Sequence, residues 1–471
     1  MRADRAEHVE GEMMERRDWS RLRVGVLGLG RSGRAATRLL AAAGARVYAS
    51  DVADSEELHR HARELVGTGA DVDLGRHDED RLAGCDLLVV SPGIPPSAPV
   101  FASPGVRGKE VISELELAFD FLEAPVIAIT GTNGKTTTTA WTGSLLRAAG
   151  IKVGVGGNIG LALSELAAER GGGYEWIVAE VSSFQLANIE RFKPAVGILL
   201  NLCPDHLDRY ADLDRYYADK ARLFDNADES SNWVLNGEDE EVRRLIDHRP
   251  GTRFYFRTGS GLSAGEEGAY LDGQRLVMRW QGREIALVER TELRLLGAHN
   301  VANALAAALA ARCAGAPLEA IRIGLREFEP LPHRLQPVLE AAGILWINDS
   351  KATNVASTRV ALSAMDRPVV LLLGGKAKGE SFAGLLAELR GRAKAVIAYG
   401  QAAPQIEREL ADRVSLLRVD GGFEEVVRTA ARIAESGDVV LLAPACASFD
   451  MFRDYEERGE RFMELVRREA T

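Results

Sequence analysis

Short apolar runs bounded by glycine, proline or charged residues alternate along the chain with longer segments of helical character. Alternation of this kind is the signature of strands and helices in a parallel α/β sheet. The runs Leu22–Leu27, Ala45–Ser50 and Leu87–Val90 predict strands, with helices over Ala35–Ala43 and Ser113–Phe121. Val126–Ile129, Trp176–Ala179 and Val196–Leu200 predict a second set, with helices over Ala140–Ala149 and Asp214–Phe224, and Asn236 ends a further short strand. Arg253 to Glu289 is strand-like, with Asp272-Gly273 and Gln281-Gly282 as hairpin turns, which predicts a small antiparallel addition. An alanine-rich helix follows from Gly297 to Ala314. Leu345–Asn348, Val369–Leu373, Ala395–Tyr399, Val414–Val419 and Val439–Ala443 complete a third set of strands. The expected fold class is α/β in three domains: 21–123, 124–330 with the antiparallel addition, and 331–471.

Composition narrows the partners. The net charge of −11 and the lack of any lysine/arginine-rich run argue against nucleic acid or an anionic membrane as the main partner. No apolar run approaches the ~18 residues of a membrane span. Residues 1–20 are charged throughout and have no apolar core of a signal peptide, so they are expected to be a solvated extension. Cys85, Cys203, Cys313 and Cys446 are scattered, which fits a reduced cytoplasmic protein without structural zinc.

The densest chemistry lies in PVIAITGTNGKTTTT, from Pro125 to Thr139. A strand runs into a glycine turn, a lysine, threonines and a helix, the plan of a phosphate-cradling loop. Gly131 and Gly134 let backbone N–H groups close on phosphate oxygens, Lys135 brings a charge to the β/γ-phosphates, and Thr136 offers a hydroxyl to Mg²⁺. Ile129 stands where the first glycine of G-x-x-x-x-G-K-[ST] would be, so the loop is a shortened variant. The plain alternative is a lysine that follows a strand-to-helix turn and binds nothing.

Upstream, Gly28, Gly30 and Gly33 form G-x-G-x-x-G after the first strand, and Asp51 follows at the Rossmann spacing of roughly 20 residues. Such glycines answer to any diphosphate. A nicotinamide dinucleotide and a UDP-sugar both remain open, with Asp51 taking a ribose hydroxyl from either. Gly154 to Gly160 is too glycine-rich for an element interior and reads as backbone built for close approach, Asn158 being its only polar side chain.

Ligands of open α/β sheets lie outside the carboxyl ends of the strands. Three central strands end in the phosphate loop, in Glu180 and in Asp205-His206-Leu207-Asp208. Glu180 is thereby a candidate Mg²⁺ ligand, because Mg²⁺ prefers one or two carboxylates plus phosphate oxygens. His206 stays open between metal ligand and loop residue, and as plain chemistry Lys220 is a surface lysine. Asn300 and Asn303 share a helix face, with ordinary helix-start polarity as the bland alternative. The loops Asp349–Asn354, Gly374–Gly379 and Pro444–Phe449 each follow a strand and should line one crevice in the third domain. Lysines in that crevice would suit an anionic ligand.

In these residues the chain resembles the Mur ligases. The resemblance rests on TGTNGKTT, GNIG, EVSSFQL, NLCPDHLDRY, YADKARLF, LLGAHNVANALAA, LPHR, INDSKATN, LLLGGKAKG and LAPACASFDMFRDYEERGERF, and runs from about Val24 to Phe462. It implies a Rossmann-like first domain that holds a UDP-sugar through Gly28, Gly30, Arg31, Ser32, Gly33, Asp51, Ser91, Pro92 and Gly93, with Asn158 facing the same substrate. It implies a central P-loop ATPase-type domain in which Gly131, Thr132, Asn133, Gly134, Lys135, Thr136 and Thr137 hold ATP. Two Mg²⁺ sites would draw on Thr136, Glu180, His206 and Lys220, the lysine being carbamylated. Asn303, Arg334 and Asp349 would meet the adenine nucleotide, and Lys351 the reacting groups. A Rossmann-like third domain would hold D-glutamate through Thr353, Lys378, Ser448 and Tyr455. Lys135, Glu180, His206, Lys220 and Lys351 are the catalytic candidates.

The activity implied is ATP-dependent addition of D-glutamate to UDP-N-acetylmuramoyl-L-alanine through an acyl phosphate, in peptidoglycan precursor synthesis, by a monomer. A folylpolyglutamate synthase-like ligase, or a Mur ligase for another amino acid, is the nearest alternative. The DNPR motif of the diaminopimelate-adding members is absent. Val52 and Ala53 stand where threonine and arginine follow the uridine-binding aspartate in the family, and Tyr455 replaces a phenylalanine.

Overall fold

The computed structural model describes residues 17–169, 173–205, 209–210, 212–259, 261–295 and 297–469. It divides into two compact units. One runs through Phe256 and takes in Leu262–Gly268 and Ala306–Ile321; the other comprises Arg257–Gly261, Ala269–Leu305 and Arg322–Thr471.

The first unit holds two parallel sheets. Strands β1 (Arg23–Leu27), β2 (Arg46–Asp51), β3 (Asp71–Leu74), β4 (Leu87–Val90) and β5 (Glu110–Ser113) pair in the order β3-β2-β1-β4-β5. The order reverses between β1 and β4, which opens a crevice at their carboxyl ends. Strands β6 (Val126–Thr130), β7 (Val153–Gly157), β8 (Trp176–Glu180), β9 (Val196–Leu199), β10 (Asn232–Asn236) and β11 (Thr252–Arg257) run β11-β10-β9-β6-β8-β7. All five residues of β6 are buried, as expected of a central parallel strand covered on both faces. Each fully buried Val, Leu or Ile of such a strand contributes roughly 1.5–3 kcal/mol relative to exposure. Burial on both faces therefore fixes the height at which the loops after β6, β8 and β9 emerge.

Strand β12 (Glu267–Asp272) precedes an antiparallel hairpin of the second unit, β13 (Arg275–Trp280) and β14 (Arg283–Glu289). Gln281 and Gly282 both take positive φ, 53° and 70°, the conformation a two-residue hairpin turn requires. The third sheet comprises β15 (Gln336–Ala341), β16 (Ile344–Asn348), β17 (Val369–Gly374), β18 (Ala393–Tyr399), β19 (Leu416–Val419) and β20 (Val439–Leu442) in the order β15-β16-β20-β17-β18-β19. It is parallel except for the edge strand β15. The result is a three-domain α/β architecture with Rossmann-like first and last domains.

Four expectations need correction. The helix after the phosphate loop starts at Lys135, not Ala140, and ends at Ala148. Its first turn is a threonine run with weak intrinsic helix propensity, and it forms because Gly134, at φ 84°, turns the chain directly into it. The glycine stretch does contain an element interior, since Val153–Gly157 is strand β7. Close approach explains its composition: a Cβ on Gly156 would lie 2.4 Å from the Leu161 carbonyl oxygen, and one on Gly157 2.4 Å from that of Glu180. Strand β11 joins the parallel sheet, so only the chain beyond it is antiparallel.

The fourth concerns the N-terminal extension, which is not solvated up to residue 20. Trp19 is buried and stacks on Phe121 at 5.8 Å, while Arg17 pairs with Glu110 and Glu190. A single tryptophan among charged neighbours leaves no periodic trace in the sequence. Replacing Trp19 by Ala removes this packing and should cost about 3 kcal/mol in urea unfolding. An unchanged unfolding midpoint would show that the segment contributes nothing to the core.

Candidate active site

A cavity of about 1060 Å³ lies in the first unit at the β1/β4 reversal. Gly28, Gly30, Arg31, Ser32, Asp51, Ser91, Pro92, Gly93 and Asn158 line it, which brings together nine of the ten residues proposed from the sequence for the UDP-sugar. Gly33 does not line it. A Cβ there would sit 1.7 Å from the Gly28 carbonyl oxygen, so this glycine serves the packing of helix Arg31–Ala42 against the turn. The Asp51 carboxylate accepts the Leu29 N–H at 2.7 Å and the Ala53 N–H at 2.9 Å, and so holds the glycine turn in shape besides facing the cavity. Ser91 Oγ donates to the Gly28 carbonyl at 2.8 Å, locking the turn after β4 to the turn after β1. His77 also lines the cavity and was not anticipated; it bonds Ser50 Oγ at 2.8 Å, and burial lowers its pKa.

The phosphate loop follows β6. Gly131 adopts φ 147°, with Leu200 Cβ 3.0 Å from where its own Cβ would be, so no larger residue fits. Asn201 brackets the loop, its side chain accepting the Asn133 N–H at 2.8 Å and donating to the Asn133 carbonyl at 3.1 Å. Thr132 Oγ1 donates to the Cys203 carbonyl at 3.1 Å and lies 3.2 Å from the Tyr216 hydroxyl. The N-terminus of helix Lys135–Ala148, carrying Thr136 and Thr137, thus opens onto a rigid turn suited to an anion.

Two lysine amines meet one oxygen here. Lys135 Nζ donates to the Gly131 carbonyl at 2.8 Å and to that of Thr132 at 2.9 Å, while Lys220 Nζ donates to the same Gly131 carbonyl at 2.9 Å. Lys220 is not the surface lysine that plain chemistry expected: it is 1% exposed, over the Tyr216 ring at 4.7 Å. Burial first, and the Lys135 charge second, hold its amine well below the ordinary lysine range.

Glu180, 2% exposed, ends β8 beside this loop. Asn158 Nδ2 donates to its Oε1 at 2.9 Å, and its Oε2 is buried with no hydrogen-bond partner among the described residues. Such an oxygen needs a proton or a cation. Among the described residues no cluster of three or more His, Cys, Asp or Glu forms a closed metal site. One carboxylate oxygen beside a phosphate loop and a threonine fits Mg²⁺, which takes the rest of its shell from phosphate and water. His206, the other expected ligand, lies outside the described residues.

In the second unit, Asn303 Nδ2 donates to Asn300 Oδ1 at 3.0 Å, and both are buried. The loops after β16, β20 and β17 follow neighbouring strands and are stitched together. Ala445 N donates to the Ala352 carbonyl at 2.9 Å, Lys376 and Ala447 exchange backbone bonds, and Lys378 Nζ donates to Thr353 Oγ1 at 3.3 Å. Ser448 is buried on the same edge. Lys351 Nζ donates to the Tyr455 hydroxyl at 3.1 Å, which in turn donates to Glu456. Arg458 was missed by sequence reasoning. Fully buried, it donates to Ser350 Oγ at 2.9 Å, the Ser350 carbonyl at 2.8 Å and the Cys446 carbonyl at 3.1 Å, fastening two of the three loops. Asp349 Oδ1 accepts the Leu335 N–H at 3.1 Å, and burial raises its pKa to about 6 despite Arg334 nearby.

Three family models match the chain: the N-terminal domain of MurD-like Mur ligases over residues 22–113, the Mur ligase middle domain over 129–311, and the Mur ligase glutamate ligase domain over 333–446. A UDP-N-acetylmuramoylalanine–D-glutamate ligase of Geobacter metallireducens is 42% identical over 441 residues, covering 94% of this chain and 96% of that protein. The ligase of the same name from Pelotomaculum thermopropionicum is 40% identical over 452 residues, covering 96% and 98%. Among solved structures, a pseudomurein peptide ligase type C from Methanothermus fervidus aligns with a TM-score of 0.60 at 20% identity, covering 95% and 99%, a likeness of fold.

Asp349 gives a test in solution. Its folded pKa of about 6 exceeds the ordinary 3.8, so between these values the native state binds more protons than the unfolded one. Its contribution is therefore lost as pH rises through the window, leaving the native state destabilised by about 2–3 kcal/mol at neutral pH. Asp349→Asn should be more stable than the wild type at pH 7.5, with the gap closing toward pH 4. Comparing the two proteins isolates this effect from His299, which burial lowers to about 4 and whose pull has the opposite sign. A pH-independent gap in melting temperature would contradict it.

Proposed function

The chain belongs to the Mur ligase family, as an ATP-dependent ligase that joins D-glutamate to UDP-N-acetylmuramoyl-L-alanine in peptidoglycan precursor synthesis, and we propose that it works through an acyl phosphate on the residues assembled above. The observation that carries this reading is the sharing of the Gly131 carbonyl by Lys135 and Lys220. The two amines converge on a loop whose turn and following helix N-terminus suit a phosphate group. The proposed domain limits are 21–123, 124–330 and 331–471, and the three family matches lie within them.

The chemistry needs such a locus. A carboxylate is a poor acyl donor because an oxide would have to leave it, whereas an acyl phosphate expels phosphate. Lys135 and the amides opening helix Lys135–Ala148 offset the repulsion between the attacking carboxylate and the γ-phosphoryl group. Mg²⁺, held by Glu180 and Thr136, would supply further charge neutralisation on the phosphate oxygens. Asn158 orients Glu180 for that task. The cavity between β1 and β4 takes the UDP moiety, with Gly93 and the Gly28–Ser32 turn at the diphosphate.

Lys220 is proposed to be carbamylated. Burial disfavours protonation of this amine, which favours its addition to CO₂, and the resulting carbamate is a carboxylate-like anion beside the Lys135 charge. Asn303, Arg334 and Asp349 are proposed for the adenine nucleotide. Thr353, Lys378, Ser448 and Tyr455 are proposed for D-glutamate, and Lys351 for the oxyanion formed when the amine adds to the acyl phosphate.

Phosphate release from ATP with UDP-N-acetylmuramoyl-L-alanine, scanned across amino acids, tests the reading. Sustained release with D-glutamate alone is expected. Release that ignores the amino acid would point to a nucleotide-hydrolysing switch instead. Lys135→Ala should lower kcat by at least about a thousandfold. Lys220→Ala should be inactive yet regain turnover when short carboxylates are added; full activity without them would remove the carbamate from the account.

A further inference from the structure

The guanidinium of Arg209 spans the two parallel sheets of the first unit. It follows β9 in the chain but donates to two consecutive carbonyls of the turn after β4, Nη2 to Gly93 at 2.6 Å and Nη1 to Pro92 at 3.3 Å. A planar fork can serve both carbonyls at once, which an ammonium cannot do with the same geometry. No peptide bond among the described residues is cis, so a Pro92 carbonyl turned to Arg209 points the Gly93 N–H the opposite way. Both residues line the large cavity. The same turn is closed by the Ile94 N–H on the Ser91 carbonyl at 3.0 Å and tied by Ser91 to Gly28.

The other side of Arg209 is backed by rings. Its guanidinium lies 4.4 Å over Phe184, Phe184 stacks on Tyr210 at 5.5 Å with planes 10° apart, and Tyr210 meets Tyr216 at 5.3 Å. Tyr216 ends the series at the phosphate loop, with its hydroxyl 3.2 Å from Thr132 Oγ1 and its ring under Lys220. A continuous series of ring contacts, stacked at Phe184–Tyr210 and tilted by 58° at Tyr210–Tyr216, therefore joins the wall of the cavity to the loop.

We infer that Arg209 is a positioning residue that orients the Pro92–Gly93 peptide toward the diphosphate of the UDP substrate and, through the Phe184–Tyr210–Tyr216 ring contacts, couples occupancy of the cavity to occupancy of the phosphate loop. The inference rests on the reading that the cavity receives the UDP moiety. Coupling of this kind is reciprocal: whatever factor the nucleotide applies to the UDP substrate's affinity, the UDP substrate applies to the nucleotide's.

Calorimetric titration of the full-length protein with UDP-N-acetylmuramoyl-L-alanine, with and without a non-hydrolysable ATP analogue and Mg²⁺, measures both effects. The wild type should show mutual affinity changes of about fivefold or more. Arg209→Lys should weaken the UDP substrate by about tenfold and bring the mutual factor near one, with KM for D-glutamate within about twofold and the melting temperature nearly unchanged. Phe184→Leu keeps the fork but removes its backing, and should abolish the mutual factor while sparing most of the UDP-substrate affinity. Retention of affinity and mutual factor in Arg209→Lys would overturn the inference, as would a variant that melts early and raises every KM alike. Gly30→Phe fills the cavity without a steric clash at Cβ. If it binds the UDP substrate normally, the cavity reading itself has failed; if it loses binding while Arg209→Lys behaves as wild type, only the role of Arg209 has.

Discussion

The Gly131 carbonyl oxygen takes hydrogen bonds from two lysine amines, and the phosphate loop after β6 is shaped around that convergence. It requires a glycine, because φ of 147° and the proximity of Leu200 exclude any side chain. It requires a stiff loop, which Asn201 supplies from the neighbouring strand end. It also brings Lys220 in from helix Leu213–Ala221, where burial disfavours the charged form of its amine. Two lysine amines thus converge on a loop whose backbone turn and following helix N-terminus suit an anionic ligand. Glu180, with one oxygen held by Asn158 and the other without a hydrogen-bond partner among the described residues, is the acidic counterpart at the end of the neighbouring strand, opposite Ile129.

The second unit solves a different problem, that of giving three loops a common, fixed edge. Strands β16, β20 and β17 are neighbours, so their following loops start level with one another. Backbone bonds join the loops, and Arg458 fastens two of them from beneath with a charge that is fully buried yet donates to three oxygens. A buried guanidinium is tolerable only when its donors are used. Lys351 and Lys378, in contrast, donate to hydroxyls, Lys351 to Tyr455 at the start of the C-terminal helix and Lys378 to Thr353 in the first loop.

The sequence was most readable where the chemistry depends on adjacent residues. The phosphate loop and the first glycine turn are contiguous, so strand, glycines, lysine and helix could be seen together, and nine of the ten residues expected around the UDP-sugar do line one cavity. Readability failed where function depends on packing between distant segments. Lys220 looks like a surface residue in its own helix because the Gly131 turn, whose carbonyl takes its amine, lies 89 residues away in the chain. Arg458 sits in a run of charged residues and looks solvated for the same reason. Asp51 was read as a ligand contact, and its bonds to the Leu29 and Ala53 N–H groups show a part in shaping the turn that spacing alone does not reveal. The helix begun by threonines and the strand made of glycines were obscured by propensity, which tertiary close approach overrode.

The account turns on the transfer of the γ-phosphoryl group to a carboxylate at the loop built on Gly131. Labelling the alanyl carboxylate of UDP-N-acetylmuramoyl-L-alanine with ¹⁸O and analysing the phosphate released during D-glutamate addition follows that transfer atom by atom. One labelled oxygen should appear in each phosphate. Unlabelled phosphate, with the label kept in the amide or lost to water, would contradict the account.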